Sequence, residues 1–342
     1  MKNFADPASR HTSRVLIIAP ADDAHACVVA KRLEALDAEP IVLDLADFPR
    51  EWQLSVSYAN DESPRFVLRR GSLELHEENL LGVWWRRTRN HVPSPDVQEP
   101  HLRRLVTAES RAAFEGWLHC LSDRLINPVA ADRTASFKLL QLRCANSVGL
   151  RIPRSLATNS PEEARSFFKD VGPNTVYKPF TTTDWTLFAT NRMSPDAAEH
   201  LDAVSYAPVI FQEEVRKVAD IRVNILDGQI FALLIQQPGK DAPIDWRIDP
   251  GREYLPHVLP EQTKAGLLAL MDKLGLRFAA CDLGLTDAGE YVFFEVNPGG
   301  QWLFAEIMAD QPISWAFAHA LLSRERPPMR SASGMSAQLL SS

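Results

Sequence analysis

Four cysteines in 342 residues (Cys27, Cys120, Cys144 and Cys281) stand far apart and form no Cys-x-x-Cys pair. Their spacing argues against a zinc site and for a reduced, cytoplasmic protein. No apolar run approaches the roughly 20 residues that a membrane helix needs. The polar stretch Met1–Arg14 lacks the apolar core of a secretory signal. There is no basic excess either. A formal net charge of −7 opposes general affinity for nucleic acid, while leaving room for a local basic cleft that takes a polyanion. The apolar run Val15–Ala19 is followed by Pro20-Ala21-Asp22-Asp23, without the GxGxxG turn that a nicotinamide dinucleotide requires. No internal repeat and no persuasive Ser/His/Asp triad is present.

With 45% hydrophobic and 24% charged residues, the chain has the composition of a folded protein. Its length suits two or three units around a cleft rather than one core. Val15–Ala19, a helix capped by Asp22 or Asp23, and Ile41–Leu43 read as β-α-β, the start of a parallel α/β unit. Trp52–Tyr58 and Arg65–Arg70 read as a hairpin, and Gly82–Arg86 as a further strand. Prolines cluster between Pro93 and Pro100. Helical patterns cover Leu102–Leu125 and Arg133–Val148, the second closed by Gly149. Ser160-Pro161-Glu162-Glu163 is a helix start. Strands are expected at Val176–Lys178, Leu187–Thr190 and Val209–Gln212, and on both sides of the Asp227-Gly228 turn. Helices follow at Pro260–Leu274 and Ile313–Leu322. The expected organisation is a disordered 1–14, an α/β unit over 15–125, a central unit over 126–212, a C-terminal unit over 213–326 and a disordered 327–342.

The most informative stretch is Phe278–Gly300. Asp287-Ala288-Gly289-Glu290 lies between two apolar strands, Phe278–Leu285 and Tyr291–Val296. A turn centred on Ala288-Gly289 sets Asp282 opposite Glu295 across the ladder. Glu295 and Asn297, two apart, then share a face. Two carboxylates and an amide oxygen in one patch suit Mg²⁺. The plain alternative makes them ordinary polar residues near a turn, but an unpaired carboxylate amid Val292, Phe293, Phe294 and Val296 is costly.

Other candidates are weaker singly. Lys138 and Lys178 can act as phosphate point charges or simply be solvated. The linker Gln212-Glu213-Glu214-Val215 can offer backbone groups to an adenine, with Asp220 on the ribose and Arg222 on phosphates, or be an exposed hairpin. Arg247, in Asp245-Trp246-Arg247, can fork onto a transferring phosphoryl group or stack on Trp246 at the surface.

The order Lys138, Gly149-Leu150, Pro153, Tyr177-Lys178-Pro179, Gln212-Glu213, Asp220-Ile221-Arg222, Asp282 and Glu295-Val296-Asn297 resembles the ATP-grasp superfamily. Val83-Trp84-Trp85-Arg86-Arg87, Asp245-Trp246-Arg247 and Asn297-Pro298-Gly299-Gly300-Gln301-Trp302-Leu303 resemble its microviridin-type (graspetide) peptide macrocyclases. The resemblance implies an α/β fold with an N-terminal parallel domain, a central lid domain and a C-terminal antiparallel sheet, with ATP between the last two. It implies Lys138 and Lys178 on the α- and β-phosphates, and adenine at Gln212, Glu213 and Val215. Asp220 would hold the ribose, Arg222 and Arg247 the γ-phosphate and acyl phosphate, and Asp282, Glu295 and Asn297 two Mg²⁺ ions. The implied reaction phosphorylates an Asp or Glu side chain of a ribosomal precursor peptide with leader and core segments. Ser, Thr or Lys then captures the acyl phosphate. The implied enzyme is cytoplasmic, engages neither nucleic acid nor membrane, and admits a homodimer. The chain departs from many ATP-grasp ligases in having Thr181-Thr182-Thr183-Asp184-Trp185 where a glycine-rich phosphate loop is usual. A ligase of small free amino acids or peptides, and a nucleotide-binding regulator without catalysis, are the competing expectations.

Overall fold

The computed structural model describes residues 13–181, 190–236 and 252–323. Strand β1 (Arg14–Ile18) leads into helix α1 (Ala24–Glu34), which is capped by Asp23: its Oδ1 accepts from the Ala26 amide at 2.9 Å. Helix α1 returns the chain to β2 (Glu39–Leu43), parallel to β1. Strands β3 (Gln53–Ala59), β4 (Glu62–Arg70) and β5 (Leu73–His76) form a separate antiparallel sheet. Strand β6 (Leu80–Trp85) then joins β1 on the side away from β2. The strand order therefore reverses between β1 and β6, and the crevice beyond their carboxyl ends is where open α/β sheets place ligands.

Helix α2 (Pro100–Cys120) is shorter than its sequence pattern. Leu125 and Ile126 leave the helical register to become β7 (Leu125–Ile126), which extends the parallel sheet beside β6. The single helix expected over 133–148 is two, α3 (Val129–Ala135) and α4 (Lys138–Ser147). The break at Ser136 and Phe137 makes Lys138 the first residue of α4 rather than an interior one. Gly149, at φ 81°, supplies the left-handed turn after α4,.

Strand β8 (Ser155–Thr158) precedes α5 (Pro161–Val171), where Ser160 Oγ accepts from the Glu163 amide at 3.3 Å. Strand β9 (Thr175–Lys178), β10 (Asn191–Arg192), helix α6 (Pro195–Glu199) and β11 (Val209–Glu213) complete this unit. Its sheet has the order β10-β9-β11-β8. Phe211 and Tyr177, directly paired, pack with Phe167 of α5. The alternate pair, Lys178 opposite Ile210, therefore points away from α5,. The expected strand Leu187–Thr190, Thr190 excepted, and the loop residues Thr182–Trp185 lie outside the described residues.

The C-terminal sheet has the order β14-β13-β12-β15-β16, all antiparallel. Its strands are β12 (Ala219–Leu226), β13 (Gln229–Gln236), β14 (Tyr254–His257), β15 (Phe278–Leu285) and β16 (Tyr291–Asn297). Asp227 and Gly228, at φ 46° and 82°, turn β12 into β13. Ile221, Val223, Phe293 and Val296 pack against Leu267 and Leu270 of α7 (Glu261–Leu274). The opposite face carries Asp220, Arg222 and Asp282 beside Leu233, Ile235 and Phe278, which pack in the cluster of Trp302 and Phe317. Helix α8 (Leu303–Ala309), two turns long and too short to show a period, has no counterpart among the sequence expectations. Helix α9 (Ile313–Leu322) packs beside α1 and against β6 of the parallel sheet so closely that a Cβ on Gly82 would lie 2.3 Å from the Leu321 carbonyl oxygen. Among the described residues no helix is long and apolar enough to cross a membrane. Positions 327–342 lie outside the described residues.

Candidate active site

The expected pairing of Asp282 with Glu295 is present, by a route the sequence did not show. The hairpin turns through Asp287-Ala288-Gly289, with Gly289 at φ 77° and its amide bonded to Thr286 O at 3.0 Å. This three-residue turn pairs Leu283 with Phe293, one residue out of the expected register. A bulge between Asp282 and Leu283 takes up the extra residue, Phe294, and restores Asp282 opposite Glu295, Cys281 opposite Val296 and Ala280 opposite Asn297,. The displaced Phe294 ring covers Gly284, where a Cβ would meet it at 2.8 Å.

Around that pair the side chains form one connected cluster. Asn297 Nδ2 donates to Glu295 Oε1 at 3.1 Å and to Asp282 Oδ2 at 3.4 Å. Arg222, opposite Asp282 on β12, places Nη1 at 2.8 and 2.9 Å from its two oxygens. Lys138 reaches Glu295 Oε2 at 3.4 Å. At the positive end of the α4 dipole an ammonium is disfavoured; the carboxylate across the cleft offsets that. Lys178, half-buried, has its pKa lowered to about 8: burial is the main cause, the Glu295 charge opposes it, Lys138 adds to it, and Asp282 opposes it,.

Among the described residues no three His, Cys, Asp or Glu side chains are gathered as a metal cage. The donor set is instead two carboxylates and an amide, which fits Mg²⁺ if the ion draws its remaining ligands from phosphates and water. The Asn297 amide as placed turns its nitrogen to the carboxylates, an orientation fixed by hydrogen bonding. A cation there requires the amide to turn its oxygen inward.

The other candidates are less tightly gathered. Asp220 is buried on the same face as Arg222, but its oxygens meet Lys217 and, at 3.3 Å, Arg252. Gln212 and Glu213 fall on opposite faces of β11. Gln212 is buried, with Nε2 2.8 Å from Ser155 Oγ. The linker backbone is itself engaged in part, the Glu213 amide on Arg154 O at 2.9 Å and the Glu214 amide on Asn174 O at 2.6 Å. Val215 and Glu213 line a cleft of about 430 Å³ beside the Thr286–Ala288 turn. A second cleft of about 360 Å³ lies between Leu139 and Leu142 of α4 and Ile210 of β11. Arg247, with Asp245 and Trp246, lies outside the described residues.

Several residues at the site had no assigned role in the sequence. Arg86 donates through Nη1 to Gly299 O at 2.6 Å and Gly300 O at 3.1 Å. Gln141 bonds both backbone groups of Val296. Asn127 bonds Phe278 and Pro298. Only the arginine pair after Val83-Trp84-Trp85 and the Asn127-Pro128 step marked any of these places in the sequence.

The family model described as the MvdD pre-ATP grasp domain matches residues 14–133. The solved macrocyclase MdnB from Microcystis aeruginosa MRC is 32% identical, with 91% of this chain and 99% of that one covered and a TM-score of 0.75. Macrocyclase MdnC of the same organism, solved bound with precursor peptide MdnA, is 28% identical over 91% and 99%, with a TM-score of 0.80. A Chryseobacterium gregarium RiPP-associated ATP-grasp ligase, solved with ADP and a leader and core peptide, shares the fold at 24% identity. It covers 94% and 99% of the two chains with a TM-score of 0.83. No curated protein matches the chain.

Proposed function

Because the chain belongs to the ATP-grasp ligases of the ribosomal-peptide macrocyclase family, we propose that it closes rings in a precursor peptide by activating Asp or Glu side chains with ATP. The observation that carries this reading is the cluster in which Asp282, Glu295 and Asn297 from the β15–β16 hairpin meet Arg222 of β12 and Lys138 of α4.

A carboxylate is a poor electrophile because its charge is delocalised and oxide is a poor leaving group. Transfer of the ATP γ-phosphoryl group to a carboxylate oxygen gives a mixed anhydride and ADP. Attack by a Ser or Thr hydroxyl gives an ester, and attack by a Lys amine gives an amide. Phosphate leaves with the oxygen, so each ring costs the peptide one water. The protein's part is positioning and charge balance. Lys178, facing the cleft from β9, and Lys138 take the phosphates of ATP. Arg222, held on both Asp282 oxygens through Nη1, is assigned to the transferring group, and Arg247 is assigned the same task. Asp282, Glu295 and Asn297 would hold Mg²⁺, two ions in this proposal, which supplies charge neutralisation on the phosphate oxygens when bound. The hinge backbone at Gln212–Val215 receives adenine. Asp220 serves the ribose only if Lys217 or Arg252 yields one of its oxygens.

The test is mass spectrometry of a Thr/Ser- and Asp/Glu-rich candidate precursor, encoded beside this protein, incubated with the enzyme, ATP and Mg²⁺. Loss of one water per ring, dependent on ATP, is expected. An unchanged precursor together with ATP-dependent joining of free amino acids would favour the small-molecule ligase instead.

A further inference from the structure

The backbone that follows the candidate magnesium ligands is held almost residue by residue. Gln141 of α4 donates to Val296 O at 2.8 Å and accepts from its amide at 3.2 Å. Asn127, just after β7, donates to Pro298 O at 3.2 Å. Arg86, just past β6, donates to Gly299 O and Gly300 O. Arg222 donates through Nη2 to Gln301 O at 2.8 Å. His25 of α1 accepts at Nε2 from the amides of both Trp302 and Leu303, each at 3.2 Å. Its proton is therefore on Nδ1, and burial with the nearby Arg86 charge keeps it neutral, with a pKa lowered to about 4.

Five side chains from five places in the chain converge on eight residues of backbone, and all five are buried. Irregular backbone ordinarily finds partners in local turns or water. Here each partner gives up side-chain entropy and hydration to reach the segment. Arg86 pays most: burial pulls its pKa down to about 10, and its Nε and Nη2 have no hydrogen-bond partner among the described residues, Nε lying 3.7 Å from Asp23 Oδ1. A guanidinium kept under those conditions points to a role beyond filling space.

The segment runs directly beneath the reactive cluster. A Cβ on Gly300 would sit 2.3 Å from Ala280 Cβ and 3.0 Å from Arg222 Nη2. Moving Gly299 and Gly300 must move Arg222, and with it the grip on Asp282.

We propose that Arg86 is a positioning residue for phosphoryl transfer: from the parallel sheet it fixes the Gly299-Gly300 backbone and so sets Arg222 and Asn297 against the metal-bound nucleotide. The inference rests on the site reading above. It extends that reading by making the N-terminal unit part of the nucleotide site, although no residue of that unit need touch ATP.

The experiment compares the full-length wild type, Arg86→Met, Arg86→Lys and Asp282→Asn. Two affinities are measured on each: ADP in excess EDTA, and Mn²⁺ in the presence of saturating ADP, read by electron paramagnetic resonance. Melting temperature is recorded beside them. Arg86→Met is expected to weaken Mn²⁺ binding at least tenfold while metal-free ADP affinity stays within twofold, and Arg86→Lys to regain part of the loss. Unchanged Mn²⁺ affinity in Arg86→Met overturns the proposal. So does a parallel loss of ADP affinity and melting temperature, which is what a merely structural arginine would give. If Arg86→Met does not fold, Arg86→Lys is judged by the same split, with a weakening of at least threefold expected. Asp282→Asn separates the two layers of argument: undiminished Mn²⁺ affinity there refutes the metal assignment itself, whatever Arg86 does.

Discussion

Gly300→Ala is the most telling single-atom perturbation. The added Cβ would lie 2.3 Å from Ala280 Cβ, where ordinary contact begins at 3.4 Å. About 1.1 Å of separation must therefore be recovered. Ala280 sits in β15 between β12 and β16 and has no rotamer with which to yield. The 297–303 backbone must move instead, and Arg222 Nη2, 3.0 Å from the new atom, moves with it. Overpacking of this kind costs about 1–3 kcal/mol of stability. A displacement of about 1 Å in a group that orients reactants costs on the order of 10²-fold in rate. The assay is water loss from the precursor peptide over time, with melting temperature measured in parallel. Gly300→Ala should lose about a hundredfold in turnover while remaining folded. The double variant Gly300→Ala/Ala280→Gly, which removes the opposing Cβ, should recover most of it. Wild-type turnover in Gly300→Ala, or no recovery in the double variant, would refute the reasoning.

Other outcomes follow from the same geometry. The Lys178 ammonium, with a pKa lowered to about 8, is fully charged below that pH and lost above it. ADP affinity should therefore be flat to about pH 7.5 and roughly tenfold weaker at pH 9, one unit above the pKa; calorimetry of Lys178→Met should show no such slope. Asn127 accepts from the amides of Arg277 and Phe278 and donates to the carbonyls of Phe278 and Pro298. Asn127→Leu orphans these buried groups and should cost at least about 3 kcal/mol in denaturant unfolding. Lys138→Met removes the cation 3.4 Å from Glu295 and should weaken ATP binding, whereas equal ATP affinity would return Lys138 to the solvated surface.

The fold was legible where periodicity is long or caps are explicit. The apolar run of β1, the Asp23 cap, the Ser160-Pro161 helix start and the Asp227-Gly228 turn each act through local chemistry, and each stands where expected. Boundaries decided by tertiary contacts were not legible. Leu125 fits the end of a helix by pattern and, with Ile126, is taken by the parallel sheet. The α3–α4 break has no glycine or proline to mark it. The gathering of Asp282, Glu295 and Asn297 on one face was readable because strand parity fixes faces. The bulge at Phe294 was not, since the three-residue turn and the extra residue cancel one another in the pairing. His25, Arg86, Asn127 and Gln141 act on backbone atoms far along the chain, and no spacing rule connects them to Val296–Leu303.

The central claim is that the β15–β16 hairpin presents two carboxylates and an amide oxygen to a nucleotide-bound divalent cation. The most direct test is a crystal structure with ADP and Mn²⁺, read by the anomalous signal of manganese. A peak is expected at coordination distance, about 2.1 Å, from Asp282, Glu295 and an Asn297 Oδ1 turned inward. A manganese peak on the phosphates with these three side chains outside coordination distance would contradict it.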